Sequence, residues 1–93
     1  INVEYIQNLV ASYFSLDLQE MLSPRRSRSL ARPRQIAMYL AKQHTTNSLP
    51  DIGRKFSNRD HTTVIHAVKK IDELIKKDNE IRQSVMEIKK KFL

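Results

Sequence analysis

The chain has no cysteine and no tryptophan, and only one glycine and three prolines among its 93 residues. Without cysteine it can form neither a disulfide framework nor a thiolate site. Because glycine and proline build the tight turns of hairpins, their scarcity favours helices over sheets. No apolar run approaches the roughly 20 residues of a transmembrane helix. The chain opens at Ile1 without a signal-peptide pattern, and we expect a single domain over residues 1–93 that is a fragment of a larger protein.

Positive charge is concentrated in the middle of the chain. Residues 1–22 carry three acidic side chains and no lysine or arginine, whereas residues 23–70 carry eleven basic side chains against two acidic ones. Residues 71–93 are nearly balanced, with six basic and five acidic side chains. Such a concentration indicates a polyanionic partner, with nucleic acid the first candidate and an anionic membrane the second.

Periodicity and turn residues divide the chain into helices. Asn2 is placed to cap a first helix, and the stretch IAMYLA within residues 34–43 is apolar on all sides, which predicts a buried helix. Residues 23–32 are arginine-rich and have no periodicity, so we expect a basic loop that ends where a helix opens near Pro33. Two helices joined by a short turn are predicted at about residues 48–76, with Ser57 and Asn58 in the turn, and this is the pattern of a helix-turn-helix. The sequence leaves open whether the last two helices are continuous.

The stretch FSNRDHTTVIHAVKK, residues 56–70, is dense in polar groups. On a helical wheel Val64, Ala67 and Ile71 share a core face, while His66 points outward. Two helical histidines that bind one metal are normally four residues apart, but His61 and His66 are five apart and point about 140° away from each other. We therefore predict no metal site. A catalytic triad needs a hydroxyl, a histidine and a carboxylate that converge in a cleft, and an exposed helix offers weak material for one, so we predict no enzyme activity.

The same polar groups suit duplex DNA. In a helix-turn-helix the second helix enters the major groove, where Asp60 can cap the helix and also accept from a cytosine amino group. His61 can donate to a base edge or a phosphate, and Thr62 and Thr63 offer methyl and hydroxyl groups. For His66, a phosphate contact and simple exposure both remain open.

The basic loop can act together with the helix-turn-helix. Arg25, Arg26 and Arg28 lie within it, and arginine is attracted by the enhanced negative potential of a narrow minor groove. Taken alone, the loop would be interpreted as a flexible, solvated segment.

The run SLPDIGRKFSNRDHTTVIHAVKKI, preceded by RRSRSLARPRQIAMYLAK, resembles the C-terminal DNA-binding domain of the bacterial replication initiator family DnaA. This resemblance implies an all-α, compact helical domain with an embedded helix-turn-helix of the Trp-repressor-like type. It also implies a monomeric domain in the bacterial cytoplasm, on the nucleoid, that binds short asymmetric origin sites of the form TTATNCACA and directs initiation of chromosomal replication. The family's ATPase module is absent here, and no G-x-x-x-x-G-K-[ST] motif occurs. We therefore expect no cofactor in this domain, although the intact protein binds ATP.

The resemblance also implies roles for individual residues. Arg26 takes the place of the minor-groove arginine, and Asp60, His61, Thr62 and Thr63 take those of residues facing bases in the major groove. With the remaining basic residues of the loop and the outward ridge, the expected contacts to the DNA backbone come from Arg25, Arg28, Arg34, Gln35, Lys42, Thr45, Leu49, Pro50, Arg59, His66 and Lys69.

Other interpretations of the basic charge remain open. The chain could be a basic nucleic-acid-binding module without sequence preference. Alternatively, the basic loop and the apolar IAMYLAK segment could bind acidic phospholipids, with which the family is also associated, although an interfacial helix is normally apolar on one face only. Regulatory proteins of replication initiation are a third class of partner, for which the sequence offers no specific residue.

Overall fold

The computed structural model describes residues 1–92 of the chain. These residues form six helices and contain no strand, so the expected all-α class is confirmed. Among the helices of residues 1–92, none combines the length and the apolar composition that a membrane-spanning helix requires. In chain order the helices are α1 (Val3–Tyr13), α2 (Leu18–Leu22), α3 (Arg28–His44), α4 (Leu49–Lys55), α5 (His61–Lys77) and α6 (Asn79–Lys89).

Helix α3 is the centre of the domain. Every residue from Ile36 to Ala41 is buried, as the apolar stretch predicts. Helices α1, α2, α4 and α5 all contact α3, and a helix that is apolar on all sides needs such neighbours to cover it. Helix α5 makes the most extensive of these contacts, so the second helix of the helix-turn-helix rests on the most deeply buried part of the fold.

Polar caps define where the helices begin. The side chains of Asn2, Asp17, Ser48 and Asp60 each accept a backbone N–H in the first turn that follows, as their positions predict. Each cap satisfies a donor that has no partner inside the helix. Asp78 answers the question that the sequence leaves open, since its Oδ1 accepts from the backbone N–H groups of Glu80 and Ile81 and thereby separates α5 from α6.

The predicted extent of the basic loop is wrong at its C-terminal end. Helix α3 begins at Arg28 and not near Pro33, because the carbonyl of Ser27 already accepts from the N–H groups of Leu30 and Ala31 at 3.0 and 2.8 Å. Proline in the second turn leaves one carbonyl without its helical partner, but Leu30 and Pro33 are both buried when the helix starts early. The non-helical part of the loop is therefore residues 23–27, and Arg28 and Arg32 are helical.

Candidate nucleic-acid interface

The turn between α4 and α5 has an unusual backbone. Ser57 and Asn58 have φ angles of 61° and 56°, so the left-handed break predicted at these residues is confirmed. The N–H of Arg59 donates to the carbonyl of Gly53 at 2.8 Å, which closes the turn back onto α4. A Cβ atom on Gly53 would lie 2.2 Å from the carbonyl oxygen of Arg59. This close approach of two backbone segments therefore requires glycine at position 53. The sequence signals the requirement only in that Gly53 is the single glycine of the chain.

The N-terminus of α5 presents four exposed polar residues, Asp60, His61, Thr62 and Thr63. Asp60 Oδ1 accepts from the backbone N–H and the hydroxyl of Thr62 at 3.1 and 3.2 Å, and it lies 3.0 Å from His61 Nδ1. The pKa of Asp60 is lowered, chiefly by the hydrogen bond from the Thr62 N–H and next by the one from the Thr62 hydroxyl. An ionised acceptor therefore stands at the tip of the helix with one oxygen committed to the cap.

The predicted core face and outward ridge of α5 are both present. Val64, Ala67 and Ile71 are buried, while His66 and Lys69 are exposed. One apolar residue departs from this division and was not predicted: Ile65 is 41% exposed, and it lines a surface groove with Lys42, Leu49, Val68, Lys69 and Asp72.

A basic cavity joins the basic loop to α5. Its volume is about 410 Å³, and it collects residues from four parts of the chain: Pro24, Arg26, Arg34, Ser57, Arg59 and Thr63. This one concave surface is formed by the basic loop, by α3, by the turn between α4 and α5, and by α5 itself. Residues that are up to 39 positions apart in sequence, Pro24 and Thr63, thus face the same space.

Two arginines of the basic cavity are withdrawn from solvent. Arg34 is only 7% exposed, its Nε donates to the Met21 carbonyl at 2.7 Å, and its Nη2 is buried without a partner among the described residues. Burial lowers the pKa of Arg34 and of Arg59, and the neighbouring Arg59 charge lowers that of Arg34 further. Within residues 1–92, both guanidinium groups donate to backbone carbonyls, and neither forms an ion pair with a carboxylate. Buried positive charge without a counter-ion attracts an anion.

Five of the other predicted backbone-contacting residues fall into two groups. Gln35 and His66 line a smaller cavity of about 180 Å³ together with Arg34, Arg59 and Thr63. Lys42, Leu49 and Lys69 lie instead on the groove beside Ile65.

Several of these side chains already have partners within the domain. Gln35 Oε1 accepts from Arg32, and the Thr45 hydroxyl donates to the Ala41 carbonyl at 2.7 Å. Arg25 lies 3.9 Å from Glu20, in a highly exposed pair. The last two members of the set, Arg28 and Pro50, are exposed at the first turns of α3 and α4.

Comparison with known proteins gives consistent matches. Residues 3–71 match the family described as bacterial dnaA protein helix-turn-helix. The chromosomal replication initiator protein DnaA of Wolbachia pipientis wMel is 53% identical over 92 residues, covering 99% of this chain and 20% of that protein. The protein of the same name from Rickettsia bellii (strain OSU 85-389) is 55% identical over 85 residues, covering 91% of this chain and 18% of that protein.

A solved structure gives the same picture of the fold. A crystal structure described as a DNA replication initiation factor is similar with a TM-score of 0.83 and 34% identity, over 96% of this chain and 27% of that one. The chain thus spans about a fifth of the length of the curated relatives it matches.

Proposed function

The chain belongs to the bacterial DnaA helix-turn-helix family, and we propose that it reads short asymmetric duplex sites of the form TTATNCACA at replication origins. In this proposal α5 lies in the major groove while residues 23–27 reach into the adjacent minor groove. The observation that carries the proposal is the basic cavity, which Arg26 of the loop and Thr63 of α5 both line. A single basic surface therefore supports contacts to two neighbouring grooves.

Base readout is assigned to the tip of α5. Asp60 Oδ1 is committed to the helix cap, so Oδ2 is the oxygen that accepts from a cytosine amino group. His61 donates to a base acceptor beside it. Thr62 and Thr63 contribute methyl groups for a thymine methyl, and the Thr62 hydroxyl is held by Asp60.

Backbone contacts are assigned to the basic cavity and its surroundings. Arg34 Nη2 has no hydrogen-bond partner within residues 1–92, and a phosphate oxygen seated in the cavity that Arg34 lines would compensate the buried charge of this guanidinium group. A guanidinium group can hold phosphate with two parallel hydrogen bonds, which fixes the register of the protein on the duplex. The other members of the set, Arg25, Arg28, Gln35, Lys42, Thr45, Leu49, Pro50, Arg59, His66 and Lys69, stay predictions.

The proposal also covers the state of the domain. An asymmetric site needs one copy, so we assign a monomer that binds DNA without a cofactor in the bacterial cytoplasm, on the nucleoid. Phospholipid binding through the apolar stretch of α3 is disfavoured because residues Ile36 to Ala41 are buried and offer no apolar face to a bilayer.

The function is tested by comparing His61→Ala with Lys42→Ala. His61→Ala should weaken binding to a matched site by about 1–3 kcal/mol, roughly 5- to 150-fold, and leave binding to a scrambled duplex nearly unchanged. Lys42→Ala should weaken both duplexes alike and lower the salt dependence by about one released counter-ion, because a lysine on a phosphate carries no sequence information. Fluorescence anisotropy at several salt concentrations measures both. A selective loss in Lys42→Ala with a uniform loss in His61→Ala would contradict the assignment of roles.

A further inference from the structure

Three backbone carbonyl groups at the end of α2 are held by side chains from distant parts of the chain. The Met21 carbonyl accepts from Arg34 Nε at 2.7 Å, and the Leu22 carbonyl accepts from the Ser57 hydroxyl at 2.8 Å and from Arg59 Nη1 at 3.2 Å. The Ser23 carbonyl accepts from Arg59 Nη2 at 2.5 Å. The last carbonyls of a helix have no partner within it and carry its negative dipole end, so cationic donors are well matched to them.

Arg59 is the hub of this arrangement. Its Nη1 donates to the Phe56 carbonyl at 2.7 Å as well as to Leu22, so one planar guanidinium group bridges the helix-turn-helix turn and the end of α2. These contacts span 36 and 37 positions along the sequence. The fixed fork of arginine can serve several acceptors at once, whereas the single ammonium of lysine cannot reproduce that geometry.

These carbonyls lie at, and just before, the start of the non-helical part of the basic loop, residues 23–27, which bears Arg26 and is called the arm below. Ser23 is followed by Pro24, whose ring fixes its own φ, and Arg26 is the next residue but one. The brace therefore determines where the exposed arm leaves the body of the domain. The same guanidinium group also holds the turn from which α5 starts, so arm and recognition helix share one support.

We propose that Arg59 is a positioning residue that couples the minor-groove arm to the recognition helix, so that part of its contribution to DNA binding is made through Arg26. This inference rests on the proposed function and refines it. An arm that is ordered before binding does not have to lose that conformational freedom in the complex, which favours tighter binding.

The test is a double-mutant cycle of Arg59→Lys and Arg26→Ala. Arg59→Lys keeps the charge but loses the fork. Each single variant should lose about tenfold or more in affinity for the matched duplex. Because part of the contribution of Arg59 passes through Arg26, the double variant should lose clearly less than the roughly hundredfold that two independent residues would lose together. Additive losses would show that Arg59 acts on its own, for example on a phosphate, and would overturn the proposal.

A second measurement tests the brace without DNA. Nuclear magnetic resonance of the free domain should show increased backbone mobility on the ps–ns timescale at residues 23–27 in Arg59→Lys. Unchanged mobility of the arm would overturn the proposal even if the cycle were non-additive. A wild-type domain that binds matched and scrambled duplexes equally would instead overturn the proposed function. The support of the arm by Arg59 would still be tested by the mobility measurement, which needs no DNA.

Ser57→Gly is a milder second variant that tests the same support if Arg59→Lys fails to fold. It removes the hydroxyl that donates to the Leu22 carbonyl, and glycine is well suited to the φ angle of 61° at this position, so the fold should be retained. The variant should shift arm mobility and matched-site affinity in the same direction as Arg59→Lys, by about twofold to fivefold in affinity. An unchanged arm and unchanged affinity in this variant would contradict a shared support.

Discussion

Replacing Gly53 with alanine should destabilise the domain by about 3 kcal/mol, at the upper end of the usual cost of overpacking. The added Cβ would lie 2.2 Å from the carbonyl oxygen of Arg59, and that neighbour is backbone, which cannot rotate away as a flexible side chain can. The same carbonyl belongs to the residue whose N–H donates to Gly53, so relief of the contact must open the turn. Urea unfolding followed by circular dichroism measures the change in the free energy of unfolding.

The neighbouring turn provides a control for which almost no change in stability is expected. Asn58 has a φ angle of 56°, which glycine adopts without cost, so Asn58→Gly should leave stability nearly unchanged. Alanine is the better helix former by about 1 kcal/mol, so Gly53→Ala would stabilise α4 if space were available. An unfolding midpoint for Gly53→Ala at or above that of the wild type would therefore contradict the close approach of the two backbones.

Arg26→Ala should cause the largest loss of specific binding among the arm residues, about 1–3 kcal/mol on the matched duplex. Arg26 lines the basic cavity together with Arg34, Arg59 and the α5 residue Thr63, so it lies close to the start of α5. Arg25 is the matched control, because it is the same residue type in the same loop but is directed to an exposed pair with Glu20. Arg25→Ala should give a smaller loss that is shared by matched and scrambled duplexes.

Inosine·cytosine pairs distinguish a minor-groove contact of Arg26 from a major-groove contact. Such a pair presents the minor-groove edge of A·T, without the guanine amino group, while its major-groove edge differs. With the A·T pairs under the arm replaced in this way, the energetic cost of Arg26→Ala should persist, and replacement by G·C should abolish it. A cost that disappears with inosine would place Arg26 in the major groove and contradict the assignment. Anisotropy titrations of wild type and variant on the three duplexes supply the comparison.

Much of the fold follows from local patterns in the sequence. The caps at Asn2, Asp17, Ser48 and Asp60 depend on side chains that bind backbone groups two or three positions away, so local sequence predicts them. The core face of α5 likewise follows from helical periodicity alone. The start of α3 was misplaced because Pro33 looks like a first-turn residue, whereas burial of Leu30 extends the helix past it.

The unpredicted features depend on contacts between distant residues. Nothing local to Gly53 indicates that the Arg59 carbonyl will approach it, because that approach depends on the left-handed turn between them. The partners of Arg34 and Arg59 at the end of α2 lie 13 to 37 positions away in the sequence. The charge pattern of the sequence alone therefore predicts that both arginines are exposed at the surface. The sequence predicts which residues form the basic surface, but not which of them brace it from within.

The most direct test of the account measures the wild-type domain on two labelled duplexes by fluorescence anisotropy. One carries TTATCCACA and the other a scrambled sequence of equal composition, both titrated at one fixed salt concentration near physiological strength. The account predicts a preference of about a thousandfold or more for the matched duplex. Equal affinity for the two would contradict sequence reading and would make the helix-turn-helix a scaffold for a basic patch.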